Sequence, residues 1–250
     1  MISPAERFSN RAQLYAKYRP GYPPGVVDVL RQHVGLTGKS IIADIGSGTG
    51  ISTRLLAPHA ALVFAVEPNA EMRAEAEREE PSNVVSADGT AEATGLVGAA
   101  VDLVVAATAF HWFVPDPCRR EFRRILKPGG WVVLMWNMRQ SRASALVEAY
   151  ERLLHDYGTN YTASLVSDRW NVPAEEFLGA GKVGHATLPN HQEFDYEGLQ
   201  GRLLSASYAP LPGHPNYEPM MARLREIFEA NQMGGIVRFD YETQVYWGRV

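Results

Sequence analysis

The sequence predicts a doubly wound α/β domain, built on a mostly parallel sheet, from three observations. Five short runs rich in Val, Ile, Leu and Ala alternate with segments of helical spacing across residues 25–138. Each run is apolar nearly throughout, as in strands covered by helices on both faces. The first run leads straight into three alternate glycines, Gly46, Gly48 and Gly50, as at a strand-to-helix turn that approaches a ligand.

Each element follows from its residues. Residues 1–24 read as an N-terminal arm carrying Tyr15, Tyr18, Arg19 and Tyr22, broken by "RPGYPP". In "GVVDVLRQHVGL", Val26, Val27, Leu30 and Val34 share a helical face. "SIIADIG" (40–46) is the first strand, and "ISTRLLAP" a short helix ended before Pro58. "ALVFAVE" (61–67) is the second strand, after which Asn69 can cap the helix "AEMRAEAEREE". "NVVSAD" (83–88), "AVDLVVAAT" (100–108) and "WVVLMWN" (131–137) are the third to fifth strands. Between the last two, Phe122, Ile125 and Leu126 form the apolar stripe of a helix that ends before Pro128. Beyond residue 138 the texture changes. Residues 142–180 and 195–232 read as mostly helical, with breaks at "GTN", "NVP" and "PLPGHPNYEP". "KVGHATL" (182–188) reads as a short strand and residues 235–250 as a longer one. These two would complete a seven-stranded sheet as an antiparallel pair, with the inserted helices as a lid.

Composition narrows the function classes. A net charge of −4 over 250 residues gives no bias towards nucleic acid or an anionic membrane, and neither is expected as a partner. The N-terminus lacks the apolar core of a signal peptide, and no uncharged run reaches the ~18 residues of a membrane span. One cysteine, Cys118, suits a reducing, cytoplasmic setting. The histidines are scattered without metal-ligand spacing, so no metal is expected. The arginines of "RREFRR" (119–124) read as a solvated helix face.

The glycine loop specifies its ligand partly by what it lacks. A dinucleotide fingerprint needs a third glycine where Ile51 stands, and a P-loop needs a lysine that does not follow Gly50. Asp44, two residues before Gly46, opposes a pyrophosphate and suits a cationic, phosphate-free ligand. Glu67, ending the second strand, is placed to accept hydrogen bonds from ribose hydroxyls. A nicotinamide oxidoreductase places an acid similarly and remains a competing reading, with Ile51 against it.

In this order and spacing the motifs resemble those of class I S-adenosylmethionine-dependent methyltransferases. "DIGSGTG" is similar to their first motif, "VEPNAEM" to the second and "SADGTAE" to the adenine-contacting stretch; "VDLVVAATAFHWF" and "ILKPGGWVVL" are similar to the strand-four and strand-five motifs. The arm "YAKYRPGYPP" and the closing "YETQVYWGR" resemble a bacterial and fungal subgroup that includes proteins similar to trans-aconitate methyltransferase.

The resemblance implies a Rossmann-like fold, S-adenosyl-L-methionine as cofactor and a small-molecule methyl acceptor, with a carboxylate or other oxygen as the methylated group. It implies an arm (1–24), a cofactor-binding core (25–138) and a lid with final strands (139–250). Asp44 and the backbone of Gly46, Ser47, Gly48 and Gly50 would hold the methionine end. Glu67 would bind the ribose, with Pro68 and Asn69 beside it. Asp88, or else Thr90 with Ala91, would meet the adenine, because threonine stands where the family often has aspartate.

Methyl transfer depends on alignment and exclusion of water, which gives the arm a role. Tyr15, Tyr18 and Arg19 are expected to fold over the cofactor, and Arg19 to pair with a carboxylate of cofactor or substrate. Phe110, Trp112 and Phe113 can wall the pocket, while His111 is the candidate base. Trp136, Asn137, Ser205 and Tyr208 are further candidates. A protein that binds the cofactor without transferring its methyl group would carry the same motifs.

Overall fold

The protein was analysed as a computed structural model that describes residues 11–139, 144–159, 161, 173–179 and 183–250. The start of the arm, and the helical reading at 142–143, 160, 162–172 and 180, lie outside these residues.

Strands β1 (Ile41–Ile45), β2 (Leu62–Val66), β3 (Val84–Ala87), β4 (Val101–Ala107) and β5 (Leu126–Arg139) pair in parallel. Strand β7 (Val237–Gly248) runs antiparallel between β5 and β6 (Gly184–Phe194). The sheet order is β3-β2-β1-β4-β5-β7-β6, which is the expected seven-stranded architecture.

Helices cover both faces. On one, Val26, Val27 and Leu30 of α2 (Gly25–Val34) pack on Ile42, Val63, Val105 and Val133. On the other, Phe122 and Ile125 of α5 (Pro115–Ile125) pack on Ala43, Val104 and Leu134. Burial on both sides is why these strands read as continuous apolar runs. The short α3 (Ile51–Leu56) follows β1, and α4 (Ala70–Glu77) follows β2. Asn69 caps α4 as expected, accepting from Met72 N at 2.8 Å. A third apolar cluster joins α6 (Ala145–Tyr157), α8 (Tyr196–Leu204) and α9 (Tyr217–Asn231) to Val237, Phe239 and Tyr241 of β7. The four-residue α7 (Ala174–Phe177) sets Phe177 against Phe110 and Phe122.

Two strands are longer than their sequence implied. β6 runs eleven residues, past the Pro189 that marked its expected end. Among the described residues its sheet neighbour is β7 alone, and half of an edge strand's N–H groups face away from the ladder, so proline is tolerated there. β5 begins at Leu126, ahead of Gly129 and Gly130, with a register shift opposite Val101 and Leu103.

The arm ends in α1 (Ala12–Tyr18), which crosses α8 where Gly201 leaves room for the Tyr18 ring. The Arg11 guanidinium donates to the carbonyls of Leu204, Ala206 and Ala209. Asn137 and Asn190 donate to Gly21 O at 3.0 and 2.8 Å, and Gln192 to Tyr18 O at 3.2 Å. A Cβ at Gly201 would overlap Tyr18. Gly201→Ala is therefore expected to loosen the arm, although alanine is the better helix former by up to about 1 kcal/mol. Limited trypsinolysis checks this: cleavage after Lys17 should accelerate, and unchanged rates would refute it.

Candidate functional site

The cleft lies at the carboxyl ends of β1, β4 and β5, where an open α/β sheet presents its ligand site. Its floor is Gly46, Ser47, Gly48, Thr49, Ile51 and Ser52; its wall includes Ala107, Thr108 and Asn137. Tyr15, Arg19, Pro20 and Tyr22 of the arm face that floor, with Arg202 of α8 beside them. The space, counted out to its open mouth, is about 550 Å³.

The glycines are required by the turn itself. Gly46 and Gly48 have φ of 68° and 57°, a region that side chains with a Cβ rarely adopt. A Cβ on Gly46 would stand 2.6 Å from the Ala109 Cβ, whereas one on Gly48 would meet nothing within 4 Å and would enter the cleft. Gly50, with φ of 79°, precedes the first residue of α3.

Two carboxylates support this loop. Asp44 is fully buried, and its Oδ2 accepts from Ser52 and Thr53 hydroxyls at 2.7 and 2.6 Å. Its Oδ1 is buried with no hydrogen-bond partner among the described residues, as is Thr49 Oγ1. Glu67 accepts from Gly48 N at 3.0 Å and Asn69 N at 2.9 Å, one bond to each oxygen. Burial raises the pKa of both carboxyls, and these hydrogen bonds offset it only in part. Because the folded pKa exceeds the unfolded one, this contribution to stability is full below the ordinary carboxylate range and is lost as pH rises through the folded pKa. Asp44→Asn should flatten that loss and be the more stable protein at pH 8, by about 1 kcal/mol. Melting curves of both proteins from pH 4 to pH 8 test this; parallel pH profiles would count against it.

The remaining candidates fall in different places. Pro68 is exposed beside Glu67. Asp88 pairs with Arg73 at 3.2 Å, and Arg73 also donates to Glu67 O at 2.6 Å. Thr90 closes a turn with Ala93, and Ala91 is buried beneath it. Phe110 is buried among Phe113, Trp136 and Phe177, so its ring belongs to the core and does not line the cleft. His111, in the 3₁₀ turn Phe110–Trp112, lies with its ring 5.1 Å from that of Trp112. Tyr15 and Arg19 do come together, the guanidinium 4.8 Å above the ring, and Arg19 donates to Ser205 O at 3.2 Å.

Thr108 and Arg202 are among the cleft residues that escaped the sequence reading. Thr108 was read as the end of a strand, yet its φ is 55°, unusual for a β-branched residue. Bonds from its N–H to Met135 O (2.8 Å) and between its hydroxyl and Tyr22 OH (2.7 Å) hold it there. Arg202 is 3% exposed on a helix whose neighbouring Leu199 and Leu203 are buried. A charge on an apolar stripe was the available signal. Among the described residues no cluster of His, Cys, Asp or Glu could hold a metal, and no helix is long and apolar enough to cross a membrane.

The donor set fits S-adenosylmethionine. A buried carboxylate oxygen with no partner, beside an open glycine loop without lysine, suits an ammonium-bearing ligand better than a pyrophosphate. Comparison with known proteins agrees. Residues 43–134 match the family described as "Methyltransferase domain". An uncharacterised methyltransferase-like protein of Schizosaccharomyces pombe is 33% identical over 85% of this chain and 82% of its own length. An uncharacterised methyltransferase of Mycobacterium tuberculosis is 34% identical over 60% of this chain and 59% of its own. A structure from Anaeromyxobacter dehalogenans, provisionally assigned as a type II methyltransferase, superposes with a TM-score of 0.70 at 22% identity, covering 93% of this chain and 98% of that one.

A Rossmann-like sheet with an acidic glycine loop at its carboxyl edge defines a class of cofactor-dependent transferase. The chain belongs to the class I S-adenosylmethionine-dependent methyltransferases, with S-adenosylmethionine as methyl donor. That membership sets aside the oxidoreductase reading.

Proposed function

We propose that the protein methylates an oxygen of a small-molecule acceptor, with residues 139–250 shaping the acceptor side of the site. The observation that carries this is the enclosure of the cleft: the arm and α8 face the glycine loop across a space of about 550 Å³. A site roofed by the arm and α8 in this way suits a small acceptor. A single, buried cysteine and a net charge of −4 accord with a cytoplasmic protein that binds neither nucleic acid nor membrane.

When bound, S-adenosylmethionine supplies an electrophilic methyl group on a sulfonium. The chain's own residues hold and enclose it. Asp44 Oδ1 and the Ser47–Gly48 backbone would take the methionine end, and Glu67, with lone pairs left on both oxygens, the ribose. Asp88, whose Oδ1 pairs with Arg73 and whose Oδ2 keeps its lone pairs, or else Thr90 with Ala91, would meet the adenine end. Tyr15 and Arg19 exclude water from above. An acceptor oxygen already ionised at neutral pH needs no base.

Transfer of a labelled methyl group to a panel of carboxylic acids, phenols and amines tests this reading. Turnover on an oxygen acceptor supports it. Turnover confined to amines, or tight S-adenosylhomocysteine binding without any turnover, would overturn it.

A further inference from the structure

Thr108 is held in a backbone conformation that its residue type disfavours. Its φ of 55° lies in the left-handed region, where a branched Cβ is crowded and glycine is at ease. It also lines the cleft, and strained backbone at a ligand site points to function. In this conformation the Thr108 hydroxyl meets Tyr22 OH at 2.7 Å, while its N–H stays bonded to Met135 O at 2.8 Å.

Tyr22 is the root of the arm. Pro23 and Pro24 follow it and lead directly into α2, whose Val26 and Leu30 are buried in the core. A residue before proline is confined to extended backbone, so Tyr22 has little freedom on that side. Its ring packs against the same apolar cluster as α2. One residue earlier, Gly21 O accepts from Asn137 at 3.0 Å and from Asn190 at 2.8 Å. The fully buried Thr243 in turn donates to Asn137 Oδ1 at 2.5 Å. From this root the arm doubles back, and α1 lies against α8 on one side and α4 on the other. Tyr15, Arg19 and Tyr22 line the same cleft as the glycine loop.

We propose that the Thr108–Tyr22 hydroxyl pair is a clasp that sets how long the cofactor stays bound, with Thr108 a positioning residue acting through Tyr22. This rests on the reading of the cleft as the S-adenosylmethionine site and describes how that site is held closed. Breaking the pair frees the root of the arm and lets Thr108 relax to an ordinary backbone conformation, so each event assists the other. A ligand that touches both the loop and the arm favours the clasped state. By linkage, the clasped state retains that ligand.

Surface plasmon resonance of S-adenosylhomocysteine on the immobilised full chain, with melting temperatures alongside, tests the clasp. Tyr22→Phe and Thr108→Val each remove one hydroxyl and keep the shape. Each should release the ligand about fivefold faster, the scale of one neutral hydrogen bond, with entry no slower. The double variant should release it no faster than the faster single, because both substitutions remove the same bond. Thr108→Ser keeps the hydroxyl and should stay within about twofold of wild type. Thr108→Gly supplies the readout that a merely structural residue would not move. It should melt above Thr108→Val, since glycine accepts the left-handed backbone, yet release the ligand just as fast. Wild-type release rates in Tyr22→Phe and Thr108→Val would overturn the proposal. So would slower entry, which marks a damaged site, or additive losses in the double variant. Release rates that simply follow melting temperature would overturn it as well. If Thr108→Val fails to fold, Tyr22→Phe and Thr108→Gly decide the matter. Failure of wild type to bind S-adenosylhomocysteine would instead defeat the cofactor reading. Trypsin cleavage after Lys17 in the ligand-free variants would then still report on the clasp: faster cleavage than in wild type supports it, and equal rates overturn it.

Discussion

Glu67→Ala should weaken S-adenosylhomocysteine binding about 100-fold, because a charged acceptor contributes roughly 1.5–3 kcal/mol per hydrogen bond and tenfold in affinity is about 1.4 kcal/mol. The side chain has two tasks. It fixes Gly48 and Asn69 through their N–H groups, and it offers its remaining lone pairs to the ribose. Glu67→Gln keeps the volume but replaces one acceptor oxygen by a donor, so it should fall between alanine and wild type. Calorimetry checks the series; an alanine variant within threefold of wild type would remove Glu67 from the site.

The second large effect separates two glycines of one loop. Gly46→Ala should destabilise the fold by about 2–4 kcal/mol, combining a left-handed backbone with crowding in the core. The added methyl would press on Ala109, at 2.6 Å, in the segment after β4. Gly48→Ala carries a similar φ cost but meets open space. It should cost only about 1 kcal/mol of stability and impair ligand binding far more, since its methyl projects into the cleft. Urea denaturation and S-adenosylhomocysteine titration of both variants test the contrast. Equal stability losses would show that the Ala109 contact does not matter.

These contrasts mark what the sequence alone could and could not convey. The strands, the turn and the Asn69 cap were legible because each follows from local chemistry: apolar runs, glycine, a capping side chain. Glu67 was legible because strand ends fix where a side chain emerges. The extent of β6 was not, since Pro189 reads as a terminator until the strand is known to lie at the sheet edge. Thr108 and Arg202 were missed for a different reason. Their environments are assembled from the arm, β4 and α8, segments that only the folded chain brings together. Phe110 was read as a pocket wall because it follows β4, but the 3₁₀ turn directs its ring into the core against Phe177.

The two edges of the sheet carry a further consequence. An exposed strand is a template on which another chain can add, and long flat edges invite aggregation. Here one edge, β3, is four residues long, and the other, β6, is interrupted by Pro189, which has no N–H to offer an incoming strand. Asn190 and Gln192 on that same strand are engaged with the arm. Among the described residues the sheet is thus open at both ends yet poorly disposed to grow, and the residue that hid the true length of β6 helps keep the molecule from pairing edge to edge with its own copies.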